Sequence, residues 1–299
     1  MILARGEMLN NTSVNLCALL ICICVQMDMA YASTPNGVDE NDLIFKASFD
    51  GNGDADIAGG DPKLYLASSF AQRAEAKPGL NSNNIHLIEG EGILGGTLAF
   101  HRHSPEIIVF KGKDNLPPAE ENMEGSVSLW LKVSPYVDLP DEFVDPIMVI
   151  DKAWNDSALF IDFDKGSEKE FRLGVFSDYS FWNPKDIPFD DISRDARPML
   201  GLSSRIFLDQ KWTHVAFTWQ HVNTDKDAKA SLYINGDYQG SLVRKQMFTW
   251  DESKLEIILG MNYLGALDEL KIFNRALHEE EIAALYNNTL SSAATDNTD

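Results

Sequence analysis

The sequence predicts an all-β protein, an antiparallel two-sheet β-sandwich with one short C-terminal helix. Short apolar or alternating runs recur from Leu43 onward, and Gly, Asn, Asp and Pro separate them, which is typical of a sandwich or a barrel. Within 126–133 and again within 215–219, apolar residues occupy every second position. Each of these strands therefore buries one face, as strands do in two packed antiparallel sheets.

The predicted strands follow one another from the N-terminal part of the chain to its C-terminal part. In order they are Leu43–Phe49, Lys63–Ser69, Thr97–Phe100, Glu106–Phe110, Ser126–Val133, Pro146–Asp151, Ser157–Phe163, Phe171–Phe176, Lys211–Gln220, Lys229–Gly236, Leu255–Gly260 and Leu264–Phe273. Asn235 and Gly236 form the dipeptide most typical of a two-residue hairpin turn. The residues on either side of this turn are therefore expected to form adjacent antiparallel strands.

The only segment with clear helical spacing is His278–Asn287. Ile282, Leu285 and Tyr286 lie at i, i+3 and i+4 and form one apolar stripe. Three glutamates, 279–281, occupy the first turn, where the helix dipole favours negative charge. The residues that follow, 289–299, are small and polar and are expected to form a frayed tail.

The first 32 residues have the layout of a secretory signal peptide. Arg5 precedes an apolar stretch at 14–27, and Ala30-Tyr31-Ala32 offers a cleavage site. The alternative is an N-terminal anchor helix that is not cleaved. We therefore expect a secreted protein, extracellular or periplasmic, that has no membrane segment once the signal is removed.

Charge and cysteine content exclude several classes of function. The chain has 25 Lys and Arg against 46 Asp and Glu, a formal net charge of −21. A nucleic-acid binder needs clustered cations, so no nucleic-acid partner is expected, and polyanionic substrates are disfavoured. All three cysteines, at 17, 22 and 24, lie in the predicted signal, so the mature chain has no disulfide, thiolate metal site or cysteine nucleophile.

Three segments together resemble the laminin-G-like, concanavalin A-like lectin/glucanase domain in its bacterial secreted form. They are Ser126–Lys132, Lys211–Gly236 and Gly265–Tyr286, and the resemblance covers a single domain over 42–288. It implies a concanavalin A-like jelly roll. Because this fold carries lectins, adhesion modules and hydrolases alike, it does not specify a ligand.

The same resemblance implies a structural Ca²⁺ site. Its ligands would be Asp50 in the first turn and Asp268 in the last predicted strand, with Asn52 and backbone carbonyls nearby. Calcium prefers oxygen ligands of these kinds, and a carboxylate beside core residues needs a cation or another partner. The alternative is an Asp-Gly-Asn turn and an aspartate that accepts hydrogen bonds from backbone amides.

No pair of carboxylates has the arrangement that glycoside hydrolysis requires. Asp268 and Glu269 are adjacent and would point to opposite faces of their strand. Asp162 and Asp164 share a face, but Asp164 lies at a turn and no glutamate accompanies them. We therefore expect no enzymatic activity; the alternative is a glycoside hydrolase or polysaccharide lyase of this fold.

A long insertion, Ser177–Arg205, has the composition of a ligand-binding loop. Aromatic residues that can stack on sugar rings alternate with polar residues that can bond to hydroxyl groups. The predicted ligand-binding residues are Trp154, Tyr179, Trp182 and Arg194. We expect the partner to be a carbohydrate or an extracellular protein. The alternative is that the insertion only packs over one sheet, with its aromatic side chains as anchors.

Overall fold

The fold is that of a computed structural model, which describes residues 37–296. The predicted signal peptide, 1–32, lies outside the described residues and stays a prediction. Within 37–296, no helix is both long enough and apolar enough to cross a lipid bilayer.

Seventeen strands and three α-helices make up the regular structure of the described residues. The strands are β1 (Leu43–Ala47), β2 (Ile57–Ala58), β3 (Tyr65–Ala67), β4 (Lys77–Pro78), β5 (Ile85–Ile88), β6 (Thr97–Phe100), β7 (Ile107–Lys111), β8 (Met123–Lys132), β9 (Val144–Ile150), β10 (Ala158–Phe163), β11 (Phe171–Phe176), β12 (Met199–Leu202), β13 (Trp212–Val222), β14 (Ala228–Ile234), β15 (Asp237–Arg244), β16 (Glu256–Met261) and β17 (Gly265–Phe273). The α-helices are α1 (Pro135–Asp138), α2 (Tyr179–Trp182) and α3 (Glu279–Asp296).

The strands form two antiparallel sheets. The nine-stranded sheet has the order β15-β14-β13-β8-β17-β1-β2, with β6 also paired to β17 and β5 paired to β6. The eight-stranded sheet has the order β12-β11-β10-β9-β16-β7-β3-β4. The predicted sandwich is therefore confirmed, and so is the hairpin at Asn235-Gly236, which joins β14 to its neighbour β15.

The main core lies between the two sheets, and the strands alternate as the pattern predicts. In β10, Leu159, Ile161 and Phe163 point into this core. Phe160, between them, belongs to a second apolar cluster on the outer face of the eight-stranded sheet, and Asp162 follows with the same side-chain direction. Each large apolar side chain buried in this way contributes roughly 1.5–3 kcal/mol to folding.

Helix α3 covers part of the outer face of the nine-stranded sheet. Ile282 is fully buried, and the ring of Tyr286 stacks on Trp130 with centroids 5.6 Å apart. A carboxylate oxygen of Glu281 accepts a hydrogen bond from the His278 backbone N–H at 2.8 Å, which caps the first turn.

The predicted frayed tail is wrong for residues 291–296, because α3 continues to Asp296. Hydroxyl groups in this part donate to carbonyl oxygens of the preceding turn, as Thr289 does to Leu285 at 2.9 Å and Ser291 to Asn287 at 2.9 Å. Such bonds satisfy side chains that otherwise favour turns.

Candidate functional site

A concave, mostly apolar pocket among the described residues lies on the outer face of the eight-stranded sheet. This outer-face pocket has a volume of about 440 Å³. Its apolar lining consists of Phe70, Phe143, Met148, Trp154, Phe160, Pro188, Phe189, Met199 and Met261. Its polar lining consists of Asp145, Asp162, Lys165, Arg172 and Asp190. A mostly apolar cavity with a few convergent polar groups is the usual form of a small-ligand site.

Strand alternation explains why charged side chains lie at this pocket. Asp162 of β10 and Arg172 of β11 are directly opposite each other in the ladder, and each follows the outward direction of its strand. Since the inward neighbours fill the main core, these two residues can only face the outer side of the sheet. Phe160 and Met148 share this face and form the apolar floor beside them.

Asp162 and Arg172 form a buried, bidentate ion pair. Arg172 Nε donates to Asp162 Oδ1 at 2.9 Å, and its Nη2 donates to Oδ2. Arg172 Nη1 also lies 3.0 Å from Asp164 Oδ2. Burial raises the pKa of Asp162 to about 6, although the bonds from Arg172 act in the opposite direction. Both oxygens of Asp162 are therefore engaged by the guanidinium group.

Asp145 is the other buried carboxyl group at this pocket. A β-bulge places Asp145 and Pro146 opposite Asp162, since Ile147 pairs with Ile161 and Val144 with Phe163. Bulges commonly redirect a side chain in this way. Asp145 is only 4% exposed, and its Oδ2 has no hydrogen-bond partner among the described residues. Burial, and secondarily the nearby Asp162, raise the pKa of Asp145 well above its usual range.

Aromatic side chains form the rim of the pocket. Trp154 remains 37% exposed. Its ring meets Phe189 edge-on with centroids 5.1 Å apart and Phe176 edge-on at 5.5 Å. Packing against two rings fixes the indole in place while leaving part of it accessible to a ligand.

The insertion 177–205 both packs on the sheet and builds a wall of the pocket. Its last part forms the edge strand β12, paired with β11. Trp182 donates its indole N–H to the Asn155 carbonyl at 2.8 Å and packs edge-on against Phe176. Phe189 and Met199 contribute directly to the pocket lining. The insertion therefore packs over the sheet with its aromatic side chains as anchors, and ligand binding by it stays a prediction.

The four predicted ligand-binding residues do not come together at one place. Trp154 lines the outer-face pocket, whereas Trp182 anchors the insertion beneath it. Tyr179 donates its hydroxyl to Asp186 at 2.5 Å. Arg194 pairs with Glu170 in a second, more polar cavity of about 500 Å³, which shares Lys165 with the first. Ligand binding by these residues stays a prediction.

The predicted metal ligands Asp50 and Asp268 both contact the loop 92–96. Asp50 Oδ1 accepts a hydrogen bond from the Gly96 N–H at 2.5 Å. Asp268 Oδ2 accepts from the Ile93 N–H at 2.7 Å, and its Oδ1 accepts from the N–H of Glu269 at 2.7 Å. The structure therefore brings two of the three predicted ligands to one short loop.

Asn52 does not join them with its side chain, because its Oδ1 accepts from the Asp54 N–H at 2.9 Å. Asp268 is fully buried, forms no ion pair within the described residues, and burial raises its pKa to about 8. A carboxyl group in these surroundings suits a bound cation. Within 37–296 no cluster of three or more His, Cys, Asp or Glu side chains surrounds it, so calcium would need backbone carbonyl oxygens as further ligands.

Comparison with known protein families identifies the chain. The Laminin_G_3 family model, described as the concanavalin A-like lectin/glucanases superfamily, matches residues 121–283. The chain belongs to this family. The family predicted from the sequence is confirmed, and no curated protein matches the chain in sequence.

Solved structures similar to this concanavalin A-like domain are binding domains and an accessory domain. Domain 4 of AbnA, a GH43 extracellular arabinanase from Geobacillus stearothermophilus solved with arabinotriose, is 20% identical with a TM-score of 0.51; the match covers 82% of this chain and 98% of that one. The binding domain of botulinum neurotoxin DC, solved with rat synaptotagmin II, is 14% identical with a TM-score of 0.55, over 83% and 52% of the two chains. The binding domain of Paraclostridial Mosquitocidal Protein 1 is 16% identical with a TM-score of 0.51, over 83% and 52%. The chain thus spans about half the length of the two toxin domains, and these likenesses show the fold alone.

Sequence analysis missed most of the pocket lining, including the buried Asp145 and Arg172. Arg172 carried a usable signal: it alternates with Phe171 and Leu173, so it had to point away from the main core. Asp145 lies in a continuous apolar run, where only the following Pro146 hints at the bulge that turns it outward.

Proposed function

We propose that this protein is a non-catalytic recognition domain that binds carbohydrate in the outer-face pocket, acting outside the cell or in the periplasm. The observation that carries the proposal is an aromatic-walled cavity with Trp154 accessible at its rim and buried polar groups at its base. Aromatic faces pack against the apolar side of sugar rings, while polar groups orient the hydroxyls. The arabinotriose complex of AbnA domain 4, which has the same fold, supports carbohydrate as the ligand.

The ion pair at the base of the pocket supports a non-catalytic role. A glycosidase needs two carboxyl groups about 5–10 Å apart, both able to reach the sugar bond. Both oxygens of Asp162 are instead held by Arg172. Asp162 therefore acts as a structural anion that keeps the base of the pocket charged and rigid.

Replacement of Trp154 by alanine is expected to weaken glycan binding at least tenfold, about 1.4 kcal/mol, because the sugar loses its aromatic platform. A panel of polysaccharides and oligosaccharides first identifies a retained glycan, and isothermal titration calorimetry then compares the variants. Phe181→Ala is the matched control. Phe181 is an aromatic residue of the insertion 177–205 that is 42% exposed but does not line the pocket. Equal affinity in Trp154→Ala, or an equal loss in Phe181→Ala, would contradict the proposal.

One observation favours a hydrolase as the second candidate. Asp145 and Asp162 lie on neighbouring strands, line one pocket and both have raised pKa values, a pattern that is enriched at catalytic sites. Incubation of the retained glycan with the protein distinguishes the two functions. Release of sugars that Asp162→Asn abolishes would establish the hydrolase and overturn the non-catalytic proposal.

We also propose a structural Ca²⁺ ion bound by Asp50 and Asp268 with backbone carbonyls of the adjoining turns. Calcium at 100 times its dissociation constant should raise the Tm by on the order of 5–10 °C relative to chelator. Asp50→Asn should reduce this increase, whereas Asn52→Ala should preserve it, because the Asn52 side chain is already bonded to Asp54. A Tm that is the same in calcium and in chelator would refute the metal site.

A further inference from the structure

The outer-face pocket contains one polar group that the protein itself does not satisfy. Asp145 is 4% exposed and lines the pocket, yet its Oδ2 has no hydrogen-bond donor among the described residues. Leaving a buried polar group unsatisfied is unfavourable. A ligand that brings a hydrogen-bond donor to this carboxyl group removes that penalty.

The charges around the pocket identify which kind of donor fits. Three carboxyl groups line it, from Asp145, Asp162 and Asp190, against the two cationic side chains of Lys165 and Arg172. The guanidinium charge of Arg172 is compensated twice, by Asp162 and by Asp164 outside the lining. The protein as a whole carries a formal charge of −21. Both the local and the overall charge therefore favour a cationic ligand over an anionic one.

The aromatic walls are compatible with a cation. Phe143 already has Lys165 Nζ 5.1 Å from its ring centroid and the Arg172 guanidinium carbon at 5.3 Å. Trp154, the residue type that attracts cations most strongly, lies at the rim. A protonated amine can thus approach Asp145 past aromatic faces that stabilise its charge.

From the unpaired oxygen of Asp145, the excess carboxylate and the aromatic walls, we propose that the pocket binds a ligand that carries a protonated primary amine. The ammonium group donates to the carboxyl group of Asp145, and the body of the ligand packs against Trp154 and Phe160. If the amine belongs to an amino sugar, the proposal names the class of carbohydrate that the pocket binds, and it then rests on the proposed carbohydrate function.

An ammonium group suits Asp145 better than a hydroxyl group does. Hydrogen bonds between charged partners are roughly twice as strong as those between neutral ones. Burial keeps the pKa of Asp145 high in the free protein, and a cation placed against it favours the ionised carboxylate again.

Matched pairs of probes test the proposal on the unmodified protein. Glucosamine is compared with glucose, and n-butylamine with n-butanol, by calorimetric titration at pH 7. The amine member of each pair is expected to bind at least tenfold more tightly than its neutral partner. Binding of the two members within twofold of each other overturns the proposal.

The same titrations separate this inference from the proposed function. Tight binding of n-butylamine with no glycan retained in the panel supports the amine site and refutes the carbohydrate function. Equal binding of glucose and glucosamine supports the carbohydrate function and refutes the amine site, and no binding of either amine refutes the amine site while the glycan panel decides the carbohydrate function.

Two variants locate the amine at its proposed partner. Asp145→Asn keeps the size of the side chain but removes its charge, and it should abolish the tenfold preference for the amine. Asp190→Asn is the matched control at the exposed rim of the same pocket and should keep most of the preference. Loss of the preference in Asp190→Asn but not in Asp145→Asn contradicts the assignment.

Discussion

Replacing Arg172 with alanine is expected to lower the free energy of unfolding by about 3–5 kcal/mol, as measured by urea denaturation. Arg172 is 6% exposed and Asp162 3% exposed, so the substitution leaves a buried carboxyl group without its bidentate partner. Removal of one member of a buried ion pair carries a cost of this size. The loss should grow as the pH rises through the pKa of Asp162, about 6 in the intact pair, because Arg172 then stabilises the wild-type carboxylate, whereas the variant must protonate the buried group or leave its charge uncompensated.

Arg194→Ala is the matched control for this prediction. Arg194 also pairs with a carboxylate, Glu170, but its side chain is 68% exposed. Surface ion pairs of this kind contribute about 0–1 kcal/mol. The double variant Arg172→Leu with Asp162→Leu should recover much of the lost stability, because apolar residues often replace a buried pair without cost. A loss in Arg172→Ala no larger than that in Arg194→Ala would show that the pair is not buried as described.

The second large effect is a loss of stability in acid that depends on His214. This side chain is fully buried beneath α3, its Nε2 lies 2.9 Å from Ser128 Oγ, and its Nδ1 has no partner within the described residues. Burial lowers the pKa of His214 to about 3. The unfolded chain therefore binds a proton at this histidine below about pH 6.5, whereas the folded protein does not. The contribution of His214 to stability is therefore expected to fall by about 1.4 kcal/mol for each pH unit of acidification between pH 6.5 and 3.

Two buried aspartates contribute in the opposite direction. Burial raises the pKa of Asp162 to about 6 and that of Asp268 to about 8, so the folded protein keeps protons that the unfolded chain has already released. The contribution of these protons to the stability of the folded protein is lost as the pH rises through these values. Comparison with His214→Gln isolates the histidine, because the aspartates titrate in both proteins. The stability difference between wild type and variant should shrink from pH 6.5 to pH 4.

His86→Gln is the control for the histidine experiment, since His86 is exposed on β5. Its stability should follow the wild-type curve at every pH. Parallel curves for wild type and His214→Gln would contradict a neutral, buried His214.

The fold could be predicted from the sequence because its determinants are local. Period-two alternation in 126–133 and 215–219 sets which side of each strand faces the main core, although both sides are buried in the structure. Asn235-Gly236 specifies a hairpin by turn geometry alone. The length of α3 was underestimated because the apolar stripe used to predict it ends at Tyr286, whereas the helix continues to Asp296.

The pocket could be predicted only in part, because it depends on contacts between distant segments. Trp154 was identified because it is an aromatic residue in a predicted turn, next to Asn155 and Asp156. Asp145 reaches the pocket through a bulge against β10, and its unpaired oxygen follows from packing rather than from any motif. The family resemblance implied Asn52 as a nearby metal ligand, but its side-chain oxygen accepts a hydrogen bond from Asp54 within the same turn.

A crystal structure of the protein with the glycan retained in the panel tests the central claim most directly. The outer-face pocket should contain the sugar, with one ring packed on Trp154 and a donor atom within hydrogen-bond distance of Asp145. Sugar bound at any other surface, with this pocket unchanged, would contradict the assignment of the binding site.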